Sequence, residues 1–380
     1  MIKKLGTAIS EYSVRNKLDE EIPVYSVTNE QGFCTGYFSK DVASKDRTTY
    51  KIVPYGYFAY NPSRINVGSV DWQHSEERVI VSPLYVVFGV DESVDKRYLL
   101  HYLKSDIARM LIKNYASGSV RDNLKLSTLM EFPFNFRSLE EQKEIANVLD
   151  KIDYLIGVQK QRMDYFDRLV KSRFIELFVE TDEASEWSYH TIADVSNDMR
   201  TGPFGSALHH DEFVDSGVFV LGIDNAVENK FSYNRMRYIT EEKYQQLKRY
   251  TVYPGDVIIT IMGTVGRSAV IPADMPKAIN TKHLACITPN VEMVNAQFLS
   301  CAFQIHPDIR TQLQKQCKGA IMAGLNLTII KGLSFRIPPI TLQNQFLEFY
   351  EQTNKSKLAV QQGLQELETL KKSLMQQYFG

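Results

Sequence analysis

FNFRSLEEQKEIANVLDKID, from Phe134 to Asp153, stands near the middle of the chain, and a worn copy, RIPPITLQNQFLEFYEQTNK, runs from Arg336 to Lys355. Self-similarity at a long period reveals architecture before any local motif does. At an offset of 203, NLKLSTLMEFPFNFRSLEEQ from Asn123 lies on NLTIIKGLSFRIPPITLQNQ from Asn326, pairing Asn123 with Asn326, Leu124 with Leu327, Phe132 with Phe335, Leu139 with Leu342 and Gln142 with Gln345. Further on, LVKSRFIELF ending at Phe178 lies on LKKSLMQQYF ending at Phe379 at an offset of 201, so the second copy reads as about two residues shorter in between. Upstream, YKIVPYGYFAYN from Tyr50 parallels YTVYPGDVIITI from Tyr250, and IPVYSVTN from Ile22 parallels VFVLGIDN from Val218. Nearly the whole chain is two copies of one unit.

Each copy opens with short aromatic and β-branched runs broken by Gly, Pro and Asn, and closes on one long polar-apolar stretch. This predicts an α+β protein: a β-rich domain over residues 1–138, a helix over 139–180, a second β-rich domain over 181–340 and a second helix over 341–380. Ser138 with Glu141 three residues on makes a capping box, and no proline interrupts the next forty residues. Ile145, Leu149, Ile152, Ile156, Gln159, Met163, Phe166 and Val170 step alternately by four and three, the seam of a coiled coil. The second copy keeps that seam more loosely at Phe346, Tyr350, Val360, Leu364, Leu367, Leu374 and Tyr378, with Thr353, Lys357 and Lys371 between. A helix of that length spans roughly 55–60 Å. The economical partner for each is the other copy, packed antiparallel with pseudo-two-fold symmetry into a dumbbell. Packing of each helix on its own domain, or on another subunit, is the alternative.

A chain of 380 residues with 44% apolar content suffices for two cores. The net charge of −1 gives no global sign of a nucleic-acid or membrane partner. Residues 1–138 and 187–340 each carry a net +2, and the remainder carries −5. Cys34, Cys286, Cys301 and Cys317 have no CxxC spacing and read as free thiols of a reducing cytoplasm. The start lacks the apolar core of a signal peptide, and no run reaches the roughly 18 apolar residues of a membrane span. A soluble cytoplasmic protein is expected.

Catalytic motifs fail on inspection. AYNPSRI has Ser63 and Arg64 where the Asn-Pro-Pro-aromatic motif of adenine methylases needs a proline and a ring, and no glycine-rich cofactor loop precedes it. GTVGRS lacks the spacing and lysine of a P-loop. His209 and His210 are adjacent, so a strand would point them oppositely, and no second ligand pair lies at metal spacing. Asp256 stands alone beside an apolar run, without the carboxylate cluster of a nuclease. No catalytic and no metal-binding residues are expected.

Taken together, these stretches resemble the DNA specificity subunits of type I restriction–modification systems over essentially the full chain. FPFNFRSLEEQKEIANVLDKID fits the family's apolar-Pro strand, Glu-Gln run and helix, and FRIPPITLQNQFLEF fits with Asn344 in place of the Glu. RTGPFGSALHHDEF from Arg200 and VYPGDVIITIMGTVGRSAVI from Val252 resemble the second-domain version. The first domain departs from it: YGYFAYNPSRINVGSVDW replaces the Pro-Gly-Asp strand, no early Trp corresponds to Trp187, and a shortened amino terminus is left open. The resemblance implies two target recognition domains that each read one half of a split double-stranded DNA target, and two helices that set the gap. It also implies that the helices dock methyltransferase (modification) and motor-nuclease (restriction) subunits. S-adenosylmethionine, ATP and Mg are then expected on those partners and no cofactor on this chain. A protein-binding coiled-coil adaptor, and a specificity module for a methylase lacking a nuclease, are the alternatives.

Arg and Lys pair with guanine, Asn and Gln with adenine, and Lys, Arg and small polar groups with phosphate. On that chemistry the DNA-contacting candidates are Arg64 and Asn66, Ser119 and Arg121, Arg200 and Ser206, Thr264 and Arg267, Lys282 and His283, and Lys315 and Lys318. Gly202, Gly205, Gly263 and Gly266 read as turn geometry.

Overall fold

The computed structural model describes residues 1–36, 47–116, 123–204, 207–317 and 324–380. They form two units, one of residues 1–161 with 360–380 and the other of residues 162–359. Both have the same strand order. In the first unit the four-stranded antiparallel sheet runs Ile9–Glu11, Val86–Val90, Phe58–Tyr60, Val70–Trp72; in the second it runs Ser196–Thr201, Leu284–Pro289, Val257–Thr260, Ser268–Val270. A parallel contact recurs as well, as the bridge Val24 to Ile80 in the first unit and as Val220 to Ile279 in the second. A two-stranded ribbon closes each domain: Ile2–Lys4 with Pro133–Asn135, and Tyr189–Thr191 with Ser334–Arg336.

The ribbons correct the repeat register. Phe134 faces Lys3 and Phe335 faces His190, so Phe335 is the counterpart of Phe134, at an offset of 201. The long helices, Leu139–Phe178 and Ile340–Phe379, are 40 residues each and keep that offset from end to end, so the second copy has lost nothing. Gln343, rather than Gln345, then matches Gln142, and Leu342 rather than Asn344 stands where the first copy has Glu141.

Two fully buried glutamines mark the hand-over from domain to helix. Gln142 Oε1 accepts from the Asp95 N–H at 2.9 Å, while its Nε2 donates to the carbonyls of Ser93 and Arg137 at 3.0 Å each. Gln343 repeats this with Asn295 N–H at 2.8 Å, Met293 O at 3.0 Å and Pro338 O at 2.8 Å. Asp95 and Asn295 are themselves N-caps, accepting from Arg97 and Tyr98, and from Gln297 and Phe298. Each glutamine thereby fixes a helix of its domain, Lys96–Lys104 or Ala296–Ile305, to the start of a long helix. The Ser138–Glu141 box forms at the first, with Glu141 N–H to Ser138 Oγ at 3.3 Å and Ser138 N–H to Glu141 Oε2 at 2.9 Å.

Within each unit the two long-helix segments run antiparallel. In the first, Asp153 pairs with Lys371, and Lys160 lies 3.6 Å from Glu368. In the second, Asp167 pairs with Lys357, and Phe178 packs edge-on to Phe346 at 5.4 Å. Among the seam positions, Ile145, Leu149, Ile152, Phe346 and Val360 are buried; Ile156, Met163, Phe166, Val170, Tyr350, Leu364, Leu367 and Leu374 are half-buried. Packing on the domains holds too. Ile145 and Leu149 join the first domain's core with Leu374, Tyr378 and Phe379, and Phe174 and Phe178 join the second's with Trp187, Phe298 and Phe335. Helix ends thus serve both the seam and a domain core. No described helix is long and apolar enough to cross a membrane.

The glutamines predict local, separable effects. Gln142→Ala leaves an N–H and two carbonyls buried without their partner, which costs about 2 kcal/mol, or roughly 30-fold in the local opening equilibrium. Hydrogen exchange of the Tyr98 and Leu99 amides accelerates by about that factor while Phe298 and Leu299 are unmoved; Gln343→Ala does the reverse. Equal effects in both domains would refute the local role.

Candidate nucleic-acid interface

In the second unit the strand Val257–Thr260 turns into Ser268–Val270 through a short loop whose shape is set from beneath. Thr260 is fully buried; its hydroxyl accepts from the Arg267 N–H at 3.0 Å and donates to the Thr264 carbonyl. Gly263 and Gly266, at φ of +72° and +80°, supply left-handed turns that a side chain would strain. Thr264 and Arg267 are consequently held out to solvent on a short, tied loop. The Ile261 N–H donates to the His283 carbonyl at 2.9 Å, which brings exposed Lys282 and half-buried His283 alongside. Burial first, then Lys282 and Arg237, holds the His283 imidazole below its ordinary pKa, so it is neutral at pH 7. Gly202 abuts the same segment: a Cβ there would lie 2.2 Å from the Thr281 carbonyl carbon. Thr264, Arg267, Lys282 and His283 therefore share one neighbourhood. Lys315 is exposed on the helix Pro307–Cys317 rather than in a loop, and that helix reaches the hairpin through Leu313, whose Cδ1 would lie 3.4 Å from a Cβ on Gly266.

Arg200 is placed differently. It belongs to the strand Ser196–Thr201, not a loop, and its side chain is only 11% exposed. Nε donates to Thr251 O at 2.8 Å, Nη1 to Asp198 at 2.8 Å and Thr288 Oγ1 at 2.9 Å, and Nη2 pairs with Asp256. Asp256, 1% exposed, also accepts from Tyr253 N–H at 2.8 Å, Thr288 Oγ1 at 2.6 Å and Cys286 Sγ at 3.2 Å. Burial, reinforced by Asp256, pushes the Cys286 thiol well up, so it donates as a neutral thiol. Asp256 is thus the centre of a buried charge network whose cation is Arg200.

Sequence reasoning passed over Arg235 and Arg237. Asn225, 1% exposed, accepts from the Gly222 N–H at 2.7 Å and donates to Ser232 O at 2.7 Å and Asn234 O at 3.2 Å, tying the turn Ile223–Asn225 to the segment that enters Arg235-Met-Arg237. Asp224 receives Arg237 Nη2 at 3.0 Å and lies 3.7 Å from Arg235 Nη1. The available signal was the Arg-x-Arg spacing, two cations close together in a short loop segment.

The first unit has the equivalent hairpin, with Arg64 and Asn66 exposed on its loop and Gly68 at φ +94°. Arg64 lines a cavity of about 40 Å³ with Asn29, Asn61 and Ser69. Arg109, also passed over, approaches the same turn: its Nη2 would lie 3.7 Å from a Cβ on Gly68. Leu124 N–H donates to Pro62 O at 3.1 Å, as Leu325 N–H does to Ile261 O at 2.9 Å, so Leu124 and Leu325 each flank the hairpin loop of their unit. Ser119, Arg121, Ser206 and Lys318, and Gly205, lie outside the described residues.

Removing Arg200 strands a buried carboxylate, whereas removing both charges does not. Arg200→Ala should lower the stability of the second unit by about 3–5 kcal/mol, and Arg200→Met with Asp256→Asn should recover most of it. Urea unfolding followed by Trp187 fluorescence in a Trp72→Phe background reads this; equal losses in the single and double variants would refute it.

Residues 3–164 match the family described as Type I restriction modification DNA specificity domain. The EcoBI specificity subunit of the type I restriction enzyme of Escherichia coli is 23% identical over 352 residues, covering 82% of this chain and 71% of that one. Among solved structures, a chain from work on assembly and conformational transition of the type I restriction–modification system is similar at a TM-score of 0.59 and 14% identity, covering 100% of this chain and 97% of the other. The type I restriction–modification S subunit from M. genitalium is similar at 0.57 and 15% identity, covering 100% and 96%. Residues 3–164 thus match the type I restriction modification DNA specificity domain, and over most of its length the chain is similar to a type I restriction enzyme specificity subunit and shares the fold of solved type I chains.

Proposed function

We propose that this chain is the non-catalytic DNA-reading subunit of its restriction–modification complex, with each unit reading one half of a split duplex target. The observation that carries this is the repeated hairpin: both units hold a hairpin at the same place in the same sheet order, yet its loop differs in length and side chains, Arg64 and Asn66 against Thr264 and Arg267. Identical scaffolds with divergent loops suit two independent half-sites. A protein-binding adaptor has no need of that divergence.

The long helices are the spacer in this reading. At 1.5 Å per residue, 40 residues span about 60 Å, somewhat over one and a half turns of duplex at roughly 34–36 Å per turn. The helices also carry exposed apolar side chains, Tyr154, Leu155, Tyr165 and Leu169 on the first and Leu358 and Leu370 on the second, which suit docking of modification and restriction subunits. S-adenosylmethionine, ATP and Mg belong to those partners, and tight binding draws on their phosphate contacts as well as on this chain's.

Three outcomes follow from co-expression with the modification subunit in a host free of adenine methylation, read by genome-wide methylation mapping. The wild type deposits a motif of two constant halves around an undefined gap; absence of any split motif refutes the reading. Gln159 Nε2 lies 3.7 Å from the Cβ position of Gly363, so these two positions mark one level of the helix pair. A matched seven-residue insertion at both adds about 10 Å, and the gap lengthens by up to about three base pairs while both halves stay constant; altered halves count against a spacer role. Thr260→Val unties the second hairpin and weakens methylation about tenfold or more, while Thr260→Ser, which keeps the hydroxyl, restores it; full activity in the valine variant would remove the hairpin from recognition.

A further inference from the structure

We propose that Arg237 reads a guanine in the half-site contacted by the second unit and that Asp224 is its positioning residue; this rests on the DNA-reading role proposed above. Four features of the second unit converge on it. Arg237 is fixed at both ends, because Asn225 ties its approach segment to the turn carrying Asp224 and because Asp224 accepts from its Nη2 at 3.0 Å. A long cation ordered before binding loses less freedom on contact with a base. Gly222 makes room for it: a Cβ there would sit 2.8 Å from Arg237 Nη1. One of the five guanidinium N–H groups is committed, and Nε and Nη1 have no hydrogen-bond partner among the described residues, so donors remain for the two parallel bonds that guanine O6 and N7 accept.

The surroundings favour DNA over a purely internal ion pair. Arg237 acts electrostatically on His283, next to exposed Lys282, and Ile223 beside Asp224 would meet a Cβ on Gly263 at 3.5 Å. The pair therefore borders the hairpin that carries Thr264 and Arg267. Arg235 is 74% exposed at a left-handed φ of +49°, a conformation uncommon for a side chain of that size, which places a second cation beside the first. Asp224, 33% exposed, faces both arginines and so does not leave the patch acidic. Arg200, buried in its own network, is not available for this role.

The test maps methylation by the intact complex carrying Arg237→Ala, Arg237→Lys, Asp224→Asn or Lys282→Ala, each checked for folding by thermal melting. Arg237→Ala should relax one G·C pair in one half-site, with sites mismatched there methylated within about tenfold of cognate sites, and leave the other half and the gap unchanged. Arg237→Lys keeps the charge, loses the planar fork and relaxes the same pair, which covers the case of a poorly folding alanine variant. Asp224→Asn weakens discrimination at that pair more mildly, and Lys282→Ala lowers methylation across all sites without altering the motif. An unchanged motif in both Arg237 variants, relaxation at an A·T pair, or relaxation in both halves overturns the assignment. A wild type that leaves no split motif overturns the DNA-reading role itself, and a wild-type motif with unchanged Arg237 variants overturns only this inference.

Discussion

The buried glutamine at the start of each long helix is the contact on which the rest depends. A domain keeps one orientation on a helix only if directional contacts hold it, and a single hydrophobic contact does not fix orientation. Gln142 does so with three directional bonds to two segments: Ser93 and the N-cap Asp95 ahead of a domain helix, and Arg137 in the turn into the long helix. An amide is suited to this because it donates and accepts from one planar group, and a buried amide is costly unless all of these partners are in place. The chain uses it twice, at Gln142 and Gln343, in otherwise diverged sequence.

Aromatic packing then adds the energy that the glutamines direct. Tyr98 meets Phe379 at 5.1 Å in the first unit, and Phe298 meets Phe178 at 4.7 Å in the second. Each domain core is completed by the end of a long helix as well as by the beginning of one. The partly exposed pairs Asp153 with Lys371 and Asp167 with Lys357 contribute little energy but favour the antiparallel register, since a shifted helix would leave the lysines facing apolar seam positions.

Architecture was legible because duplication writes it twice: the α+β class and the two long helices follow from the repeat and from period. Register within the repeat was not. Phe132, Phe134 and Phe136 alternate along a strand, and a slip of two residues keeps every side chain on its own face, so hydrophobic pattern alone cannot tell an offset of 203 from 201. Hydrogen bonding of the glutamine decides it. Exposed loop placement was legible where a loop is defined by local glycines, as at Thr264 and Arg267. It was misjudged where a polar stretch is buried by distant strands. Arg200 sits in MRTGPFGS, which reads as a surface turn, yet its partners Thr251, Asp256 and Thr288 lie 51 to 88 residues away. Arg237 was missed for the converse reason, since its neighbours Gly222, Asp224 and His283 come from other segments.

The corrected register also changes what the wear in the second copy means. Ser138 and Glu141, which cap the first long helix reciprocally, correspond to Pro339 and Leu342, so the second helix opens with neither half of that box. Proline suits the start of a helix because its missing N–H has no intrahelical partner there, and Leu342 instead packs against the second domain's core. Polar capping has been exchanged for apolar docking at the same point. The second hand-over therefore leans on Gln343 and the Phe346 cluster, where the first divides its load among the glutamine, the cap and the His101–Asp150 and Arg97–Asp150 contacts at 2.8 and 3.0 Å. Helix length is equal in the two copies while anchoring is not: each long helix starts on whatever chemistry its own domain offers.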